Sequence, residues 1–143
     1  MQVKIKRIDP SLPLPVYQTS GAVAFDLYSR VDLVIPGNNT AMVPSNLIIE
    51  VPLGYVLILT ARSSLVKKKG LMLANGVGTI DNDYCGPEDE IKLSVYNFTD
   101  TTVSINKGER LAQGLFIKID QCQWEEVDEI KEKNRGGFGS TGL

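Results

Sequence analysis

Apolar residues recur in this chain with a period of two, and that period constrains its fold more than any other feature. Val3 and Ile5 alternate with Lys4 and Lys6, Ile91, Leu93 and Val95 with Lys92, Ser94 and Tyr96, and Val103 and Ile105 with Ser104 and Asn106. In an extended chain this puts every second side chain on one face, so these segments predict half-buried strands. Residues 55–60 (YVLILT) and 47–51 (LIIEV) are nearly continuous apolar runs and predict strands covered on both faces. Turn signals follow at short intervals, at Pro36-Gly37-Asn38-Asn39, Pro52-Leu53-Gly54, Cys85-Gly86-Pro87 and Asn106-Lys107-Gly108. The only helical signal is residues 63–69 (SSLVKKK), a turn or two opened by a serine cap and closed by Gly70. Many short strands with this punctuation predict an all-β sandwich or barrel of jelly-roll type. At 143 residues and 43% apolar, the chain has the length of one domain and enough apolar side chains for a core.

Composition narrows the chemistry. The sequence contains no histidine, which excludes a Ser-His-Asp or Cys-His nucleophile pair, a His-ligated zinc and a His general base. Proton transfer near neutral pH falls to a carboxylate, Lys, Tyr or Cys. A net charge of −2 gives no footprint for a stable nucleic-acid complex, although a small phosphate ligand accompanied by a divalent cation remains open. Cys85 and Cys122 lie too far apart for a CxxC motif and are expected to be reduced thiols. The opening MQVKIKRIDP carries no apolar leader, and no run approaches the roughly 18 residues of a membrane span. The expected location is the cytoplasm, with no membrane partner.

Three polar clusters interrupt the strand pattern. In Thr60-Ala61-Arg62-Ser63-Ser64 a strand runs into a helical turn, so amides, two hydroxyls and a guanidinium converge as an anion site would need. The same residues also read as a capped turn with a solvated Arg. The second cluster, residues 75–86 (NGVGTIDNDYCG), places Asp81 after apolar Ile80, and in a chain without histidine Asp81 is the strongest candidate base. On a strand Asp81 and Asp83 would share one face; read alone, D-x-D-Y beside Gly is also a polar hairpin turn, and Tyr84 a strand aromatic packed on a sheet. The third, residues 107–113 (KGERLAQ), reads alone as a turn and an edge strand. Asp26, between apolar neighbours, reads as a turn-side or a metal-facing carboxylate.

The last segment, residues 134–143 (NRGGFGSTGL), has four glycines and one aromatic, too little apolar surface to order itself. It therefore reads as a flexible arm following a β domain of residues 1–133, although Gly, Ser and Thr around an Arg are also what a phosphate-wrapping arm would use.

Taken together and in this order, five segments resemble the motifs of the homotrimeric dUTPase family: AFDLYS at 24–29, ARSSL at 61–65, GVGTIDNDYCG at 76–86, KGERLAQ at 107–113 and GGFGSTG at 136–142. The resemblance implies a distorted jelly roll that assembles as a homotrimer, with active sites shared between subunits. It implies magnesium-dependent hydrolysis of dUTP to dUMP and diphosphate, which limits uracil in DNA and supplies dUMP for dTMP synthesis. Asp81 resembles the family's general base, which activates water for attack on the α-phosphorus. Asn75, with the backbone at Thr79 and Ile80, resembles the uracil reader, and Tyr84 the residue under the deoxyribose that leaves no room for a 2′-hydroxyl. Arg62, Ser63, Ser64 and Gln113 match phosphate contacts, and Asp26 a carboxylate that holds the metal through water. Phe138 resembles the aromatic that closes over the base, with Arg135, Gly139, Ser140 and Thr141 around the γ-phosphate.

Two departures from the family pattern stand out. Pro87-Glu88-Asp89 is inserted between Gly86 and Glu90, which touches the expected role of Lys92 at the nucleoside but leaves Asp81 and Tyr84 upstream. In the last motif, Lys133 occupies the usual arginine position and Arg135 stands three before Phe138, so either could meet the γ-phosphate. The competing functions are a dCTP deaminase, with or without dUTPase activity, and a non-catalytic nucleotide-binding regulator on the same fold. The D-x-D-Y pattern opposes the first, Asp81 with the glycine-rich arm the second.

Overall fold

A computed structural model describes residues 1–137 of the chain. It builds eleven short strands and one short helix, α1 (Leu65–Lys69). Four strands form one antiparallel sheet in the order β2 (Phe25–Tyr28), β11 (Arg110–Lys118), β6 (Tyr55–Ala61) and β8 (Gly78–Ile80). Three form a second, β4 (Asn39–Pro44), β9 (Lys92–Asn97) and β7 (Leu71–Leu73). Two antiparallel pairs complete the frame, β1 (Lys4–Arg7) with β5 (Leu47–Glu50) and β3 (Leu33–Ile35) with β10 (Val103–Ile105). Among the described residues no strand pairs with its neighbour in sequence. The chain therefore crosses between sheets at nearly every turn, which is the jelly-roll-like arrangement that the punctuated strand pattern predicts.

The core lies between the sheets. Leu27, Leu57 and Leu59 from one sheet meet Val43, Leu71, Leu73, Leu93 and Val95 from the other, all essentially without exposure. Close packing explains Gly114 in the middle of β11, where an added methyl carbon would sit 2.9 Å from the Phe25 ring.

The expected strands at residues 47–51, 55–60, 91–95 and 103–105 all appear, with ends shifted by a residue or two. Three details differ. β6 is not covered on both faces, because Leu57 and Leu59 are buried while Val56 and Ile58 are half-buried. With Leu115 and Ile117 opposite them in β11, they form an aliphatic face that this chain leaves partly uncovered. α1 is not opened by a serine cap. Ser64 has helical φ −90° and ψ −8° with no side-chain capping bond, so buried Leu65 and the left-handed Gly70 at φ 65° hold the turn. Asp81 and Asp83 do not share a strand face, since β8 ends at Ile80 and residues 81–84 turn, with Tyr84 N–H donating to the Asp81 carbonyl at 3.4 Å.

Candidate functional site

Strand register builds the first half of the site. Asp26 in β2 stands opposite Gln113 in β11, which stands opposite Thr60 in β6, so the three side chains form a row on the face away from the core. A register shift between Arg110 and Ala112 turns β11 locally and leaves Arg110 beside β2. Its Nη1 donates to Asp26 Oδ2 at 3.0 Å, and Arg62 Nε, one residue past the end of β6, forms an ion pair with Oδ1 at 2.8 Å. The Asp26 side chain is only 9% exposed, and a carboxylate so withdrawn from water is tolerable because two guanidiniums match it.

Each arginine retains donors that Asp26 does not use. They line a cleft of about 330 Å³ with Ser64, Lys68, Lys69 and Glu109. Glu109 is taken by Lys69 at 2.8 Å, so the walls carry an excess of positive charge suited to phosphate. Ser63 is exposed at the rim and Ser64 half-buried within.

The second half lies between the sheets. The segment from β7 to β8 passes from one sheet to the other, so the expected hairpin is a bridge rather than a ribbon of paired strands. It encloses a cleft of about 260 Å³ lined by Leu59, Leu73, Asn75, Thr79, Ile80 and Lys92 among others. Gly76 at φ 69° makes the tight turn, and Gly78 lets β8 approach Leu59, whose Cβ would lie 3.1 Å from an added methyl. β8 is the edge of its sheet, so one side of its backbone offers unpaired amides and carbonyls to a planar ligand. Asp81 and Tyr84, both exposed, stand just beyond its end. Lys92, whose place the Pro87-Glu88-Asp89 insertion touches, remains on the wall of this cleft.

The two halves do not meet within one chain. Ile80 pairs with Leu57, so Asp81 continues toward Val56, whereas Arg62 lies six positions further along β6. At about 3.3 Å per strand residue that is roughly 20 Å, several times the span of a triphosphate. Lys133 and Arg135 lie in residues 121–137, all of them exposed. Phe138, Gly139, Ser140 and Thr141 fall outside the described residues.

Two arrangements escaped the sequence reading. Arg110 stands within a quoted motif, yet nothing local announces that it shares Asp26 with Arg62; the pairing depends on the order of β2, β11 and β6. Glu90, directly after the insertion, is 5% exposed. Arg30 donates to it twice, Nε to Oε1 at 2.8 Å and Nη2 to Oε2 at 2.9 Å, and the Asn46 amide donates to Oε1 at 2.8 Å. Burial pushes the Glu90 carboxyl up, but these bonds and the charges of Arg30 and Lys92 outweigh it, so the group sits below the usual glutamate value.

Among the described residues no three potential ligands of the His, Cys, Asp or Glu type converge on one point. Asp26 accepts one hydrogen bond, from Arg110 on Oδ2, and pairs with Arg62 through Oδ1, which leaves lone pairs on both oxygens for water. The donor set therefore fits an ion held chiefly by substrate phosphates and waters, as magnesium prefers, with Asp26 touching its hydration shell.

A jelly-roll-like β fold with a cleft along a free strand edge and a separate cationic cleft is the arrangement that a nucleotide-binding protein of the all-β class needs. The dUTPase family model matches residues 11–142. The deoxyuridine 5′-triphosphate nucleotidohydrolase of Dictyoglomus turgidum is 38% identical over 149 residues, covering 100% of this chain and 99% of the relative. That of Helicobacter pylori strain J99 is 36% identical over 145 residues, covering 100% and 98%. The crystal structure of the dUTPase from Streptococcus mutans superposes with a TM-score of 0.77 at 33% identity, covering 84% of this chain and 98% of that one. The chain belongs to the dUTPase family.

Proposed function

We propose that the chain is a dUTP diphosphatase that hydrolyses dUTP to dUMP and diphosphate, keeping uracil out of DNA and supplying dUMP for dTMP synthesis. The observation that carries this reading is a base-sized cleft, edged by unpaired β8 backbone, with an exposed carboxylate at its mouth. In the cleft, Asn75 and the main chain at Thr79 and Ile80 pair with uracil, against which cytosine's amine would be mispaired. Tyr84 lies under the deoxyribose, Lys92 borders the nucleoside and Phe138 covers the base.

Asp81 takes a proton from water as its oxygen attacks the α-phosphorus; the bond from that phosphorus to the αβ-bridging oxygen breaks, and diphosphate leaves. Arg62, Ser63, Ser64 and Gln113 receive the charge that develops on the departing oxygens, and Asp26 holds Arg62 in place. Magnesium, with Asp26 in contact with its waters, would neutralise phosphate charge and align the chain of phosphates. The arm of residues 134–143, following the domain of residues 1–133, would close with Arg135 or Lys133, Gly139, Ser140 and Thr141 at the γ-phosphate.

The roughly 20 Å between Asp81 and Arg62 supports assembly into a homotrimer in which one copy supplies the base cleft and another the phosphate cleft. The uncovered aliphatic face of β6 and β11 supports the same reading. So do Trp124, 92% exposed, and Ile130, 77% exposed, which a lone chain leaves in water. Action in the cytoplasm is part of this proposal; among the described residues no helix is long and apolar enough to cross a membrane.

Incubation with dUTP, dCTP, dTTP and UTP in the presence of magnesium tests the function. Release of dUMP and diphosphate from dUTP, far above the other three, is expected. No dUMP would overturn the reading, and conversion of dCTP to dUTP would replace it with a deaminase.

A further inference from the structure

Tyr84 lies four positions past Ile80, the last residue of β8 and a wall of the base cleft, with no aromatic ring among the described residues packed against it, and a residue that must exclude one hydroxyl cannot be free to swing. The residue is 39% exposed. What fixes it is its own hydroxyl, which donates to the main-chain carbonyl of Glu90 at 3.2 Å.

That carbonyl belongs to one of the most firmly held residues of the chain. The Glu90 amide donates to the Glu88 carbonyl at 2.8 Å, and the following Ile91 amide to the Leu47 carbonyl at 2.9 Å. Its buried carboxylate takes three further bonds, two from Arg30 and one from the Asn46 amide. Asn46 is itself buried, with a left-handed φ of 74°. Its side chain brackets Asp9, accepting from the Asp9 amide at 2.6 Å and donating to the Asp9 carbonyl at 3.0 Å. The link therefore runs from two separate parts of the fold, the segment after β2 through Arg30 and the loop before β5 through Asn46, to the single carbonyl that the tyrosine hydroxyl meets.

The inserted Pro87-Glu88-Asp89 stands between the tyrosine and this post without loosening either. The Gly86 amide donates to Asp89 Oδ2 at 2.7 Å, and the Asp89 amide returns a bond to the Gly86 carbonyl at 3.1 Å, so the extra residues close on themselves.

We infer that the Arg30–Glu90 pair is a positioning element for Tyr84 and thereby sets how strongly this chain rejects a ribonucleotide. The inference rests on the reading of Tyr84 as the floor of the sugar site, and its novelty is the buried pair that holds that floor. Glu90 and Arg30 act through the tyrosine and touch no substrate.

The test is the ratio of kcat/KM for dUTP to kcat/KM for UTP, measured in the assembled protein with magnesium for the wild type, Tyr84→Phe, Glu90→Gln, the double variant and Tyr84→Ala. Tyr84→Phe keeps the ring and deletes only the anchor, so the ratio is expected to fall about three- to tenfold, the scale of one hydrogen bond. Glu90→Gln is expected to lower it in the same direction, and the double variant to fall no further than the larger single effect, since both break one link. A merely structural Glu90 would lower stability and leave the ratio alone. If Tyr84→Ala relaxes the ratio while Tyr84→Phe and Glu90→Gln leave it unchanged, the positioning inference is overturned and the sugar-floor reading stands. If Tyr84→Ala leaves the ratio unchanged as well, the sugar-floor reading itself fails. Should Glu90→Gln prove unfolded by thermal melting, Tyr84→Phe on its exposed ring decides alone.

Discussion

At one end of β6 the charged groups are matched before any ligand arrives: Asp26 is buried beneath Arg62 and Arg110, and Lys69 is held by Glu109. Near the other end Asp81 is exposed, and among the described residues its carboxylate has no hydrogen-bond or ion-pair partner. The contrast follows from what each group must do. Arginines that receive a polyanion need to be held in advance, because ordering them on binding would cost side-chain entropy. A general base needs a lone pair free for water, and fixed neighbours would occupy it. On the proposed reading, one half of the site is held ready within the chain, and the other keeps its carboxylate free for water and for phosphates that another copy would hold.

Replacing the free carboxylate is the most severe way to break this contrast. Asp81→Asn keeps the shape and removes the basicity, so kcat for dUTP should fall about 10²-fold or more with little change in KM. Steady-state assay of dUMP release, with light scattering to show an unchanged assembly, checks it. Near-normal turnover would show that the proton goes elsewhere.

The next experiment asks whether the two halves truly belong to different copies. Arg62→Gln damages the phosphate end and should lower kcat/KM by about 10- to 100-fold, the range of a hydrogen bond to a charged group. Co-refolding Asp81→Asn with Arg62→Gln in equal amounts would then create sites with one intact cleft from each parent. Random mixing makes such sites about a quarter of the total, so activity should recover to about a quarter of wild type, well above either parent. Activity no higher than the mean of the parents would place both halves of each site in a single chain.

Much of this arrangement is legible in the sequence, and the part that is not has a common cause. Alternation at Ile91, Leu93 and Val95 announces a strand because the period is local, and the five motifs mark the functional segments because each is contiguous. The run YVLILT misleads, since apolar residues on both faces of a strand do not say whether this chain or another copy covers the second face. Asp26 likewise reads as a metal-facing or turn-side acid. Its two arginines are 36 and 84 positions distant in sequence and reach it only through the order of β2, β11 and β6. Arg30 and Glu90 are 60 residues apart, and a Glu that follows Pro87-Glu88-Asp89 has the local pattern of a solvated turn, so nothing near it in sequence marks its burial.

That carboxylate supplies the finest distinction between the two ends, because it gives the exposed end a buried charge of its own, one step behind the reacting groups. Glu90 lies below its usual value, so its ionised form favours the folded state. The sign follows: the stabilisation is complete above the ordinary glutamate pKa of about 4.3 and fades as pH falls below it towards the depressed folded value. Asp9 is also held low, by its bonds to Lys107 and Ser11, and it titrates in the same direction. Asp9 is present in both the wild type and Glu90→Gln, so the difference between their melting temperatures isolates Glu90. At pH 7 the wild type should melt about 4–10 °C higher, the scale of one broken link in a buried pair. The gap should narrow as pH is lowered from 5 towards 3, read by thermal denaturation in parallel. A gap that stayed constant across that range would mean that the shape of the Glu90 side chain, rather than its charge, braces the wall behind Tyr84.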